Sequence, residues 1–279
     1  MTRLLLALAA LLPLLVAPAA AESGTPGAGI RIATEGAYKP WNFRAEDGTL
    51  AGFDVDLARL LCADLALDCT IVAAPWSTML ARLDAGAFDA IFAGMSITET
   101  RKVQATFSLP YAATPAVFVS TRRLPGIPKT DLVLPGLDGR EQATLVALRK
   151  ALLNGVVGVQ KATTHEVFLR DYLEGYVQVR TYESQGALDA DVANGTLTAM
   201  LVSLGYAAPL ERPTGAAGMR IIGPRLSGGP FGEGIGAAFR KADTQLAAAF
   251  SDAIARHIAD GTIRKLSLRW FGFDISAQP

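Results

Sequence analysis

Twice along this chain, short apolar strands alternate with amphipathic helices in the order β-α-β-α-β, and few folds can accommodate that order. In the first series Ile30–Ala33 reads as a strand, Phe53–Leu65 (FDVDLARLLCADL) as an amphipathic helix, Thr70–Ala73 as a strand, Thr78–Ala85 as a helix and Ala90–Ala93 as a strand. The second runs through Val156–Val159, Glu166–Leu173, Val177–Tyr182, Ala187–Ala193 and Ala199–Val202. Unbroken apolar strands are covered on both faces, and strands joined by crossover helices pair in parallel. Each series therefore predicts an α/β unit, a parallel sheet flanked by helices. Such sheets bind small molecules beyond the carboxyl ends of their strands.

Ahead of the first series stands MTRLLLALAALLPLLVAPAAAES. It has one basic residue (Arg3), a leucine-rich run broken by Pro13, and Ala19-Ala20-Ala21 before Glu22. That composition predicts a cleaved secretory signal over residues 1–21. No other stretch approaches the ~20 apolar residues of a spanning helix. Removing residues 1–21 from the 279 leaves 258, more than one core commonly organises and suited to two lobes. Basic and acidic residues number 26 each, or 25 against 26 once Arg3 is removed. No basic stripe suggests a nucleic-acid partner. The two cysteines, Cys62 and Cys69 in LCADLALDC, are expected to be bonded in an exported chain, with two buried thiols as the alternative. A metal site would need roughly three or four ligands, and the only histidines, His165 and His257, lie far away in sequence.

Two strand ends are followed by the same device. In GMSITETR, Ser96 stands three residues before Glu99; in QKATTHE, Thr163 stands three before Glu166. Both spacings predict capping boxes at helix starts, which leave free N–H groups and a positive dipole end at the sheet rim. Arg101 lies close by, where the dipole gives a cation no support. Its guanidinium could grip a carboxylate through two parallel hydrogen bonds, or merely pair with Glu99 at the surface. The stretch ATEGAYKPWNF puts Glu35 after the first strand beside Tyr38, Trp41 and Phe43, and Trp76 follows the second strand. The rings could fill a core in an ordinary turn. Alternatively Tyr38 and Trp76 could clasp the stem of a ligand whose carboxylate meets Arg101 and whose cation meets Glu35.

The order TEGAYKPWNF, GFDVDLA, the cysteine pair, PW, FDAIFAGMSITETR, FSLPY, VGVQKATTHE, DGTIRKLSLRWFGFDI resembles the family 3 bacterial extracellular solute-binding proteins. These are the periplasmic receptors of polar amino-acid ABC importers. The nearest branch is the lysine/arginine/ornithine, histidine and opine type, which also carries a cysteine pair after GFD. The resemblance implies a two-lobed periplasmic-binding-protein clamshell with two hinge crossovers, lobe 1 comprising residues 29–118 plus 221–275 and lobe 2 residues 119–220. By position, Arg101 would bind the ligand α-carboxylate, assisted by Ser96 and by Thr163 and Thr164. Glu35 would face the distal cation, and Tyr38 and Trp76 would stack on the stem. The partners implied are a small amino-acid-like ligand and an inner-membrane ABC permease, for a monomer in the periplasm with no cofactor.

The chain departs from the family at several places. Thr198 and Ser203 occupy two acidic positions, the second being the aspartate that holds the ligand α-ammonium. Ala93 and Gly94 replace a small polar pair, with Gly94 still expected to line the site, and Lys161 and Ala162 stand where a neutral residue and glycine are usual. The fold expectation is untouched; the expectation of a free α-amino acid is weakened. AYKPWNF and AGMSITETR also resemble periplasmic cyclohexadienyl dehydratases. That chemistry needs a carboxylic acid where this chain has Tyr206, so an enzyme is not expected. A sensor or accessory protein that has lost solute binding would fit the missing aspartate, but Glu35, Tyr38, Trp76 and Arg101 argue against it.

Overall fold

A computed structural model of the protein describes residues 29–134, 138–211 and 218–277. The expected leader, residues 1–21, lies outside them. Among the described residues no helix is long and apolar enough to cross a membrane.

The first sheet has five strands in the order Cys69–Ala73, Ile30–Thr34, Ala90–Ile91, Ala238–Arg240, Ala105–Phe107. The first three are parallel, as the alternation requires, and Ala238–Arg240 runs antiparallel between its neighbours. Helix Phe53–Asp64 covers this sheet because Phe53, Leu57, Ala58, Leu61 and Cys62 recur at helical spacing and are all buried. They pack with Trp41, Tyr111, Phe239, Phe250 and Phe271 into one core. Gly52 begins that helix at φ 124°, and a Cβ there would lie 2.4 Å from Trp41 O, so only glycine fits. Cys62 and Cys69 are bonded, fastening the helix end to the start of the next strand.

The second sheet has six strands: Gln178–Tyr182, Val156–Gln160, Ala199–Ser203, Ala116–Ser120, Arg220–Gly228, Asp131–Leu134. Again the first three are parallel. Helices Gly139–Leu152 and Thr164–Leu173 bury Leu145, Leu148, Phe168 and Leu169 against it. The expected divisions at 118/119 and 220/221 cut through Ala116–Ser120 and Arg220–Gly228, yet both strands pair within this second sheet. The reason is local: Ala116, Val117, Phe118 and Val119 are all buried, so the strand needs cover on both faces from its first residue. The chain passes between lobes instead at about 111–115 and 229–235. There the two passages lie side by side, with Tyr111 N donating to Ile235 O and Ile235 N to Ala112 O, both at 2.8 Å.

The stretch Ala37–Ala51 forms a small antiparallel sheet of its own, Ala37–Tyr38, Asn42–Arg44 and Leu50–Ala51, not a plain turn. Its aromatic rings go three ways. Trp41 is fully buried in the first core, edge-on to Phe53 and Phe271. Phe43 sits under Lys39 and against Trp270. Tyr38 turns toward the second lobe.

Candidate functional site

Between the lobes, at the carboxyl ends of both sets of parallel strands, lies a cavity of about 470 Å³. That volume suits a small organic solute. Glu35, Trp76, Gly94 and Ser96 reach it from loops after the three parallel strands of the first sheet; Thr163, Thr164 and Ser203 reach it from the second. Tyr38 and Arg101 complete a set of nine expected residues, and all nine line this one cavity.

Arg101 is the buried cation of the site, 8 % exposed. One guanidinium nitrogen donates to Ser96 O at 3.0 Å and the other to Ala162 O, on the opposite lobe, at 3.2 Å. The group also lies 5.3 Å over the Trp76 ring. Burial lowers its pKa to about 10, which leaves it charged at neutral pH. The surface alternative does not occur: Glu99 pairs with Lys102 at 2.9 Å, and no ion pair among the described residues engages Arg101. A desolvated cation whose hydrogen-bond acceptors among the described residues are all carbonyls is favourably placed to receive an anion. His165 lines the same cavity and is uncharged at neutral pH, because burial and the nearby Arg101 push its pKa down to about 4.

Two local expectations need correction. Ser96 does not cap the helix Glu99–Gln104; Thr98 does, its side chain accepting from Arg101 N. Ser96 instead forms a β-bridge with Ile235, which keeps the backbone extended for two more residues. Arg101 consequently sits in the first helical turn. Thr163 does cap Thr164–Leu173, but the returning Glu166 side chain accepts from Ala162 N. Ala162 has φ 59°, the left-handed conformation that suits the glycine usual in the family, and there its carbonyl meets both Trp76 Nε1 and Arg101.

At the other end, Glu35 accepts from Gln160 Nε2 at 2.6 Å, and burial raises its pKa to about 7. Tyr38 does not clasp open space. Its ring stacks on Tyr206 at 4.6 Å, and its hydroxyl lies 2.9 Å from Ser203 Oγ. Behind this wall Asp54, fully buried, accepts from Asn42 Nδ2 and Tyr111 Oη, and burial holds its pKa up at about 7. Asn42 Oδ1 in turn accepts from Gly36 N, so Asp54 braces the loop that carries Glu35.

Residues 30–273 match the family model of the bacterial extracellular solute-binding proteins, family 3. The chain belongs to that family. Among curated relatives, the octopine-binding periplasmic protein of Rhizobium meliloti is 33% identical over 88% of this chain and 91% of its own length. The L-arginine-binding protein of Pseudomonas aeruginosa is 30% identical over 88% and 89%. A solved periplasmic His/Glu/Gln/Arg/opine family-binding protein from Silicibacter pomeroyi, in complex with lysine, superposes with a TM-score of 0.71 at 26% identity, covering 89% of this chain and all of that one. This family 3 solute-binding protein therefore has the two-lobed clamshell fold, and its lobes are closed. Trp76 Nε1 reaches Ala162 O at 3.2 Å, Ser77 Oγ reaches Glu183 at 3.1 Å, and Gln160 reaches Glu35 across the cleft.

Several lining residues of this solute-binding protein were missed in the sequence. Gln160 is the last residue of its strand, one beyond the apolar run, so the strand-end rule would have found it. His165 and Gln185 sit at the first turns of helices that follow strands. Phe231 arrives from the second passage between lobes and had no local signal.

Proposed function

We propose that this protein captures a small, cationic, carboxylate-bearing, amino-acid-like solute in the periplasm and delivers it, as a monomer, to an inner-membrane ABC permease. One observation carries the reading: one cavity between the lobes holds a desolvated guanidinium at one end and a carboxyl at the other, and among the described residues the first has no acidic partner and the second is partnered only by an amide. Arg101 would receive the solute carboxylate in its planar fork, with the free N–H groups of the Thr163–Thr164 helix start beside it. Glu35 would receive the distal cation, and the Trp76 ring would flank the stem. Ser203 offers a neutral hydroxyl where a free α-ammonium would gain most from a carboxylate, so solutes with a substituted α-nitrogen are favoured relative to the family norm.

The relatives named for octopine and arginine support the same class. Binding without turnover is the reading favoured over an enzyme, since Tyr206 stands at the place of the acid and its hydroxyl is engaged by Asp189. The test is a thermal-shift screen of L-arginine, L-lysine, L-ornithine and octopine against glutamate and citrate, followed by calorimetry. A bound solute raises the melting point by mass action. A shift with a cationic amino-acid-like solute is expected. A shift with glutamate or citrate alone, or with none of the panel, would reject the assignment, and so would conversion of prephenate or arogenate.

A further inference from the structure

Beside Ser203 the cavity carries a second polar group. Gln185, the first residue of helix Gln185–Ala193, is 1 % exposed and lines the cavity. Its Nε2 donates to Asp189 Oδ1, one helical turn along, at 2.9 Å and lies 3.7 Å from Met200 Sδ. An amide nitrogen has two protons, so both are committed, and Oε1 remains the acceptor with no hydrogen-bond donor among the described residues.

Asp189 decides that orientation. A carboxylate only accepts, so the amide must present its N–H side to it and its oxygen away from it. Asp189 is itself held in place, its other oxygen accepting from Tyr206 Oη. Tyr206 is fixed in turn by stacking on Tyr38, and its backbone N–H donates to Ser203 Oγ at 3.2 Å. Tyr206 thus joins Ser203 and Asp189 in one connected cluster at the same end of the cavity.

We propose that Gln185 is a ligand-binding residue whose Oε1 accepts an N–H from the solute's α-nitrogen beside Ser203, and that Asp189 is the positioning residue that turns Oε1 toward the cavity. This rests on the reading that an arginine-like solute lies between Arg101 and Glu35. The site then recognises the nitrogen with neutral acceptors, and the negative charge stands one bond behind them. A secondary amine keeps an N–H to donate, so a substituted α-nitrogen remains recognisable to this pair.

Calorimetry with L-arginine and with its des-amino analogue, 5-guanidinopentanoic acid, tests the assignment on wild type, Gln185→Met and Asp189→Asn. Wild type is expected to prefer arginine. Gln185→Met should lower arginine affinity at least tenfold and change the analogue less than threefold, which erases the preference. Asp189→Asn, which lets the amide turn over, should cost arginine at least threefold with the analogue again unaffected. The two variants are independent, so one that melts with wild type suffices. Equal losses for both ligands, or no loss for either, would overturn the inference and leave the cluster a structural brace. Failure of wild type to bind either compound would overturn the assignment of the solute class, and the inference with it.

Discussion

Gln160 reaches across the cleft to Glu35, amide nitrogen to carboxyl oxygen at 2.6 Å, so the acid of one lobe rests on a neutral donor of the other. Burial keeps that acid half-protonated near pH 7. A cationic solute stabilises the ionised form and lowers the pKa, so capture releases a proton. Affinity for arginine should therefore rise with pH and level off above about 7, with a slope approaching tenfold per unit toward pH 5. His165, at about 4, and Arg101, at about 10, do not titrate in that window. Asp54 does, but it lies behind the wall, and Glu35→Gln separates the two. Titrations at pH 5, 6, 7 and 8 should show a flat, weaker profile for the variant. A flat wild-type profile would contradict the role of Glu35.

Arg101→Ala should abolish binding of any carboxylate-bearing solute and leave the protein folded, because its guanidinium lines the cavity and, among the described residues, donates hydrogen bonds only to carbonyls. Arg101→Lys should also be poor, since a point charge cannot match the two oxygens of a carboxylate. Calorimetry on both variants decides the matter; affinity within threefold of wild type would remove Arg101 from the site.

The Cys62–Cys69 bond closes a short loop at the edge of the first lobe, away from the cavity. Reduction should cost about 2–3 kcal/mol, which lowers the melting point by several degrees. Ligand preference should not change. Scanning calorimetry with and without reductant, on free and ligand-bound protein, would expose a shift in preference if the bond shaped the pocket.

Ser203→Asp restores a carboxylate where the hydroxyl now meets Tyr38. It should improve affinity for arginine, lysine or ornithine at least tenfold, about 1.4 kcal/mol. Solutes without an α-ammonium should gain nothing. Paired titrations of the wild type and the variant measure this. Tight wild-type binding with no gain would mean that Gln185, Asp189 and their neighbours already satisfy the nitrogen.

The parts of the site that could be read in sequence were those next to long apolar runs. Glu35 and Ser203 stand at or just past the ends of buried strands, and the rule that loops at carboxyl ends gather around ligands located them. Gln160 and Gln185 escaped because a polar residue closing a strand or opening a helix looks like loop. Ser96 reads as a cap because S-I-T-E-T-R supports two helix starts, and only the bridge to Ile235, 139 positions away, selects Thr98. Ala238–Arg240 has three residues, too few for any periodicity, although it holds an interior place in its sheet, between Ala90–Ile91 and Ala105–Phe107.

That interior place sets an order of assembly. Residues 116–228 contain every strand of the second sheet, so that lobe can finish folding as soon as it has emerged from an N-to-C synthesis or export channel. The first sheet stays split, with Ala90–Ile91 and Ala105–Phe107 unable to join until Ala238–Arg240 slides between them. The lobe that is made first is thus completed last, the reverse of the usual N-terminal-first sequence. A chain truncated at Gly236 should protect amides of Val156–Gln160 and Ala199–Ser203 from exchange while those of Ile30–Thr34 exchange freely. Protection of both sets would disprove that order.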